Sequence, residues 1–329
     1  MRALLLASVI SVTIVTIVAG SAVVGLRVYH APGPLEAARD IVVPHGGLDE
    51  VGAALVSAGA VRSRFMFKVA ALASLAQGNL HAAELHFPDH ASLAQVLEVL
   101  RDGRPVEHRV TIAEGLSAAQ IAQIVARQGD LLTGALAVPA EGSLLPETYV
   151  FERGSTVSAV LGRMRGAMRR TVDTEWAARA PGLGLRSARE AVVLASIVEH
   201  EAKLSQERPM IARVFLNRLA SGMKLQADPT VSYGAEGGLG VLVRPIDRDD
   251  LARVDEYNTY VIAGLPAGPI CSPGLASLKA VLHPATGDAL YFVADGTGGH
   301  AFSATLKQHE ANVARYRAQQ NASRAALKR

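Results

Sequence analysis

The stretch EAVVLASIVEHEAK, Glu190 to Lys203, is an almost wholly apolar run interrupted near its end by two carboxylates, Glu199 and Glu201. Its length and its good helix formers predict a helix over 190–203 that is buried rather than surface-lying. An acid at the end of a buried helix is costly and needs compensation, either an ion-pair partner or a chemical task that uses a raised pKa. At ~100° per residue, Glu199 and Glu201 point ~200° apart. They therefore cannot form the facing pair of carboxylates used by most glycoside hydrolases. Glu201 shares its stripe with Leu194, Ile197 and Val198, and Glu199 lies over Val192, Ala195 and Ser196. Phase predicts the drier position for Glu201, nearer the negative end of the helix dipole, where a protonated carboxyl is favoured. The competing expectation is that either glutamate pairs with a structural arginine such as Arg208 or Arg213.

Outward from this helix, the chain on its C-terminal side continues through a break at Leu204 and Ser205 into RPMIARVFLNRLASG. There Met210, Ile211, Val214, Phe215 and Leu219 mark one apolar face, and Gly222 marks the stop. From Lys224 onward the sequence is rich in Gly, Pro, Asp, Asn and Tyr, the composition of structured loops on a rigid scaffold. On the N-terminal side, LLPETYVFERGST (Leu144–Thr156) reads as a turn and a strand leading into a helix. A second compositional zone thus begins near Glu141.

The first part of the chain carries one short pattern three times: IVVPHGGLDEVGAALVSAG from Ile41, LHFPDHASLAQVLEVLRDG from Leu85 and VTIAEGLSAAQIAQIVARQG from Val110. Each reads as strand, turn and amphipathic helix ending in glycine. The segment SRFMFKVAALASLAQG adds a further helix between the first two. Unequal spacing points to a small α+β module rather than a solenoid.

At the N-terminus, Ala3 to Leu26 contains no charge and is long enough to cross a hydrocarbon core of ~30 Å. A cleaved signal peptide is the rival reading, but its apolar core spans only ~7–15 residues. An uncleaved anchor with the bulk of the chain exported is the expectation, and APGPLE, residues 31–36, reads as the linker leaving the membrane. The single cysteine, Cys271, excludes an intrachain disulfide and a cysteine metal cluster. A net charge of +3, without basic blocks interleaved with aromatics, gives no nucleic-acid signature. SGMK, Ser221–Lys224, matches the SxxK of penicillin-recognising enzymes, yet its SDN and KTG partners are absent. HEAK lacks the second histidine of a zinc helix.

SIVEHEAKLSQERPMIARVFLNRLASGMKLQADPTVSYG, YNTYVIAGLPAGPICSPGLASLKAVLHP and LYFVADGTGGHAFSATLKQH closely resemble the MltG (YceG-like) family of membrane-anchored endolytic murein transglycosylases. The resemblance runs from about Asp40 to Tyr316. It implies an α+β protein of three parts: a transmembrane anchor over residues 1–30, a LysM-like module over 38–130 and a larger α+β catalytic domain over 137–320. It implies peptidoglycan glycan strands as substrate, peptidoglycan synthases and the inner membrane as partners, no nucleic acid, no cofactor and no metal. The location implied is the cytoplasmic membrane, single-pass, with the catalytic domain on its extracytoplasmic side.

In the family's SIVEKET-like motif the second glutamate is read as catalytic, which falls on Glu201, the residue chosen by helical phase. The chain departs from the motif at Ala202, where the family usually carries Thr or Ser, and at LHF from Leu85, where it more often shows Tyr. Gln226, Asp228, Thr230, Tyr233, Tyr257, Asn258, Thr259 and Tyr260 are the candidate sugar-binding residues. Aromatic faces suit pyranose rings, and amides and carboxylates suit their hydroxyl and acetamido groups. Asp228 before Pro229 and Asn258 before Thr259 read equally well as capping or turn residues. His300 in GGHAF reads as a site residue or a structural one, with the structural reading preferred for a lone histidine. The alternative to an enzyme is a non-catalytic peptidoglycan-binding scaffold of the wall-synthesis machinery, favoured by Ala202 alone.

Overall fold

The computed structural model describes residues 13, 16, 19–239 and 244–326. The apolar run Ala3–Leu26 lies largely outside them. Residues 19–30 are helical, and among the described residues no helix is long and apolar enough to cross a membrane. The fold is mixed α+β. Contacts divide the chain into unit 1, Met1–His108 with Phe151–Arg153, and unit 2, Arg109–Val150 with Gly154–Arg329. The division falls after His108, so most of the third strand-turn-helix repeat lies in unit 2.

Unit 1 runs β1 (Arg39–Val42), α1 (Leu48–Ser57), α2 (Arg64–Ala73), β2 (Glu84–Phe87) and α3 (Leu93–Asp102). β1 and β2 pair antiparallel with Ile41 opposite Leu85 and Arg39 opposite Phe87. Alternation puts Ile41, Leu85 and Phe87 inward, where they meet Leu55, Phe67, Leu97 and Leu100. Helix α3 begins at a capping box, with Ser92 accepting from the Gln95 amide and Gln95 accepting from the Ser92 amide. Arg101, buried near the end of α3, donates to Ser74 Oγ and to the Ser74 carbonyl, closing the turn after α2.

In unit 2 the elements are α4 (Ala118–Ala126), α5 (Val157–Ala177), α6 (Ala188–Glu201), α7 (Arg208–Ala220), α8 (Asp228–Ala235), α9 (Arg248–Ala252), α10 (Leu275–Leu282), β5 (Tyr291–Ala294), β6 (His300–Ser303) and α11 (Leu306–Ala326). Strands β3 (Glu107–Thr111) and β4 (Thr148–Glu152) form a further two-stranded sheet, and β5 pairs antiparallel with β6. The sequence expectation of a central apolar helix is met by α6, in which eight consecutive residues, Ala191 to Val198, are buried. It packs against α5, α7, α8 and α10. Burial on every side explains why the run has no polar stripe.

Candidate active site

Local sequence fixes both ends of α6. Ser187 caps its start, accepting from the Glu190 amide, and the chain turns extended at Ala202. A single 3₁₀ turn, Ser205–Glu207, then leads to Pro209, which opens α7 where a missing amide costs nothing. Glu201 is thus the last residue of the buried helix, and Glu199 lies just inside it. Ala202 is itself buried among apolar neighbours.

The two glutamates are treated differently. Glu199, its side chain 4% exposed, accepts 2.7 Å from Arg208 Nη2 and 2.8 Å from the Gly274 amide. Of the two arginines expected from sequence, Arg208 is the partner, whereas Arg213 donates to the Ala285 carbonyl. Both residues are part-buried, and burial is the first cause of the raised Glu201 pKa, in keeping with the dry position that helical phase predicts for it. The difference is in compensation. Among the described residues Glu201 has no hydrogen-bonding partner, and its pKa is pushed from 4.5 up to about 7, first by burial and then by the negative charge of Asp228, with Arg218 pulling the other way.

Around Glu201 stand Asp228, Tyr260 and Arg218. The Tyr260 hydroxyl donates 2.6 Å to Asp228 Oδ1, and burial followed by this bond raises the phenol pKa. Arg218, at the end of α7, is buried. Its guanidinium donates to the carbonyls of Leu290 and Leu225 and lies 5.4 Å from the Tyr291 ring. It ties α7 to β5 and to the loop before α8, and supplies the positive charge opposing the Glu201 shift. No sequence signature marks this arginine, since the groups it donates to, the carbonyls of Leu290, Leu225 and Lys224, are main-chain atoms.

Gln226 and Asp228 are exposed, and Gln226 holds φ +52°, with its amide donating to the Thr259 carbonyl. Thr230 and Thr259 lie inside, their hydroxyls 2.9 Å apart; Thr230 also donates to the Ala227 carbonyl and Thr259 accepts from its amide. Asn258 is buried and donates to the carbonyls of Asp250, Leu251 and Arg253, while its oxygen accepts from the Tyr260 amide. These three hold the loop that presents Tyr260. Asn258→Ala is expected to lower stability by about 2–3 kcal/mol, because it strands several buried carbonyls. Urea unfolding measures this, and a loss under 0.5 kcal/mol, on the order of an ordinary surface change, rejects the assignment.

Tyr233 is buried and Tyr257 part-exposed, their rings tilted at 56° with centroids 4.8 Å apart. The Tyr233 hydroxyl donates to Glu141, which also accepts from the amides of Ala118 and Gly142. Burial raises the Glu141 pKa although those donors pull it down. Sequence marked Glu141 only as the start of a compositional zone. His300 is structural in its contacts: its Nδ1 lies 2.7 Å from Glu207 Oε2, and its amide donates to the same carboxylate. Cys271 is buried against Ser196, and burial pushes its thiol pKa well up, which leaves no thiolate nucleophile near α6.

Residues 41–315 match the model of the YceG-like family. An endolytic murein transglycosylase of Bacillus subtilis (strain 168) is 31% identical over 247 residues, covering 73% of this chain and 67% of that protein. A protein of the same name from Streptococcus pneumoniae (strain D39) is 29% identical over 323 residues, covering 83% of this chain. The chain spans 57% of the length of that second relative. The crystal structure of a yceG-like protein from Listeria monocytogenes, 26% identical, aligns over 84% of this chain and 99% of its own with a TM-score of 0.49. With the matched residues taking in the whole glutamate helix and the loops around it, the chain belongs to the YceG-like family.

Proposed function

We propose that this chain is an endolytic lytic transglycosylase of peptidoglycan, with Glu201 as its single acid and base. The observation that carries the reading is a carboxyl at the end of a core helix with no hydrogen-bonding partner among the described residues and its pKa raised to about 7, in a chain whose relatives are named endolytic murein transglycosylases. Protonated Glu201 gives its proton to the glycosidic oxygen between N-acetylmuramic acid and N-acetylglucosamine as the bond to the anomeric carbon breaks. The resulting carboxylate takes the proton from the muramic acid C6 hydroxyl, whose oxygen closes a 1,6-anhydro ring on that carbon. The nucleophile is part of the substrate, so no second carboxylate is needed to activate water.

Gln226, Asp228 and Tyr260 are the groups we assign to sugar contact, and the part-exposed Tyr257 offers a ring face. Thr230, Asn258 and Thr259 act through the frame. The reading includes an anchor over Ala3–Leu26 in the cytoplasmic membrane, catalysis on its outer side, a LysM-like wall-binding role for unit 1 and peptidoglycan synthases as neighbours. It is supported by the uncharged N-terminal run and by the compact βααβ arrangement of β1, α1, α2 and β2.

Digestion of purified glycan strands is expected to yield internal fragments ending in 1,6-anhydro-N-acetylmuramic acid. By mass spectrometry each fragment is one water lighter than a hydrolysis product. Reducing muramic ends identify a muramidase instead, and intact strands identify a binding scaffold.

A further inference from the structure

Helix α2 is apolar on two sides. Phe67 and Ala71 enter the unit 1 core. On the other side, Phe65, Met66, Val69, Leu72 and Ala73 fall within an arc of ~120°, and the four larger side chains range from 46% exposed at Met66 to 74% at Phe65. Leu75, just past the helix, is also exposed. A surface helix of a water-facing unit carries polar residues on such an arc, and α2 has none there. Residues 20–29 face it across a cavity of about 910 Å³ lined by Gly20, Val24, Leu26, Phe65, Met66 and Val69, among others. Val23, Val24 and Leu26 are themselves exposed.

Basic residues border this apolar surface. Arg64 and Lys68 lie at ~0° and ~40° on α2, along the seam between its buried and exposed sides, and Arg27 and Arg62 flank it in sequence. Lys68 pairs with Asp49 at 2.6 Å, and Arg62 donates to the Pro32 carbonyl. We propose that the exposed face of α2 is a lipid-docking surface, lying in the headgroup boundary of an anionic bilayer beside the point where the apolar N-terminal run enters it. The inference rests on the anchor reading above. An apolar helix face buried ~5–10 Å into the interface, with cations at its edge, is the arrangement by which amphipathic helices lie on membranes. The continuity of apolar surface from residues 20–29 to α2 within one unit favours lipid over a second copy of the chain or a glycan strand.

The test uses the full chain in vesicles of phosphatidylethanolamine and phosphatidylglycerol. Val69→Cys, Leu72→Cys and, as a reference in unit 2, Val254→Cys are spin-labelled separately. All three positions are exposed, and native Cys271 is buried away from the reagent. Labels at 69 and 72 are expected to collide several-fold more with oxygen, relative to a water-soluble nickel complex, than the label at 254. Equal ratios at all three sites in protein that floats with the vesicles overturn the docking face while leaving the anchor standing. Labels at 69 and 72 shielded from both reagents indicate cover by protein or glycan, and also overturn it. A chain that does not float removes the anchor and the docking face together.

Discussion

Glu201→Gln is expected to reduce cleavage of isolated glycan strands by roughly 10²–10⁴-fold, the usual contribution of a positioned acid and base, while the protein stays folded. Glutamine preserves shape and polarity and can neither give nor take the proton. The pH behaviour is specific. Glu201 works from its protonated form, so wild-type cleavage should fall as pH rises through about 7. Asp228 helps hold that value up, so Asp228→Asn should move the falling limb to lower pH.

Stability supplies a second reading of the same shift. The folded-state pKa is about 7 against an ordinary 4.5, so the folded form resists ionisation. The penalty is absent below pH 4.5, grows between there and 7, and reaches about 3 kcal/mol above it. Glu201→Gln should therefore be more stable than wild type at pH 8 and nearly equal to it at pH 4. Urea titrations at the two pH values decide this, and an equal difference at both rejects the burial argument.

Glu199→Ala should cost about 3–5 kcal/mol, because it leaves the Arg208 guanidinium in a largely dry site without its principal anion. The bond from the Gly274 amide is lost as well, which loosens the loop docked on α6 by Ser196, whose hydroxyl accepts from the Ile270 amide. Glu114 is the remaining carboxylate near Arg208, at 3.4 Å and with its side chain 43% exposed, against 2.7 Å and 4% for Glu199. Glu114 is thus a poor substitute for the missing partner. Replacing both members, Glu199→Leu with Arg208→Met, should recover most of the loss, since a buried pair exchanged for apolar groups of similar size is often near neutral. If the double variant is as unstable as the single one, the pair is not the cause. Glu199→Gln, which keeps an acceptor for Gly274, should impair cleavage far less than Glu201→Gln.

Much of this arrangement is legible in the chain itself. The run before Glu199 is too apolar for a surface helix, and helical phase separates its two acids before any fold is known. Phase does not reveal which acid is compensated, because compensation comes from Arg208 and Gly274, the latter 75 residues away. The same limit governs the loop residues. Asn258, Thr259 and Thr230 read as sugar ligands by residue type, yet their polar atoms engage backbone groups brought close only by folding. The capping alternative held open for Asn258 matches what its side chain does. Arg218 and Glu141 are invisible for the converse reason: their partners are main-chain atoms or distant tyrosines, and neither residue stands in a local pattern.

Gln226 occupies the left-handed region two residues before Asp228, at φ +52°. A side chain such as glutamine is uncommon there, and glycine adopts the conformation without steric cost. The backbone at this point is therefore better suited to a residue the chain does not use. Stability and work at this position consequently pull apart: Gln226→Gly should relax the backbone and raise the denaturation midpoint while removing an exposed amide that the proposed reading assigns to sugar contact. A variant at once sturdier and slower would mark position 226 as one where selection for catalysis has outweighed selection for robustness.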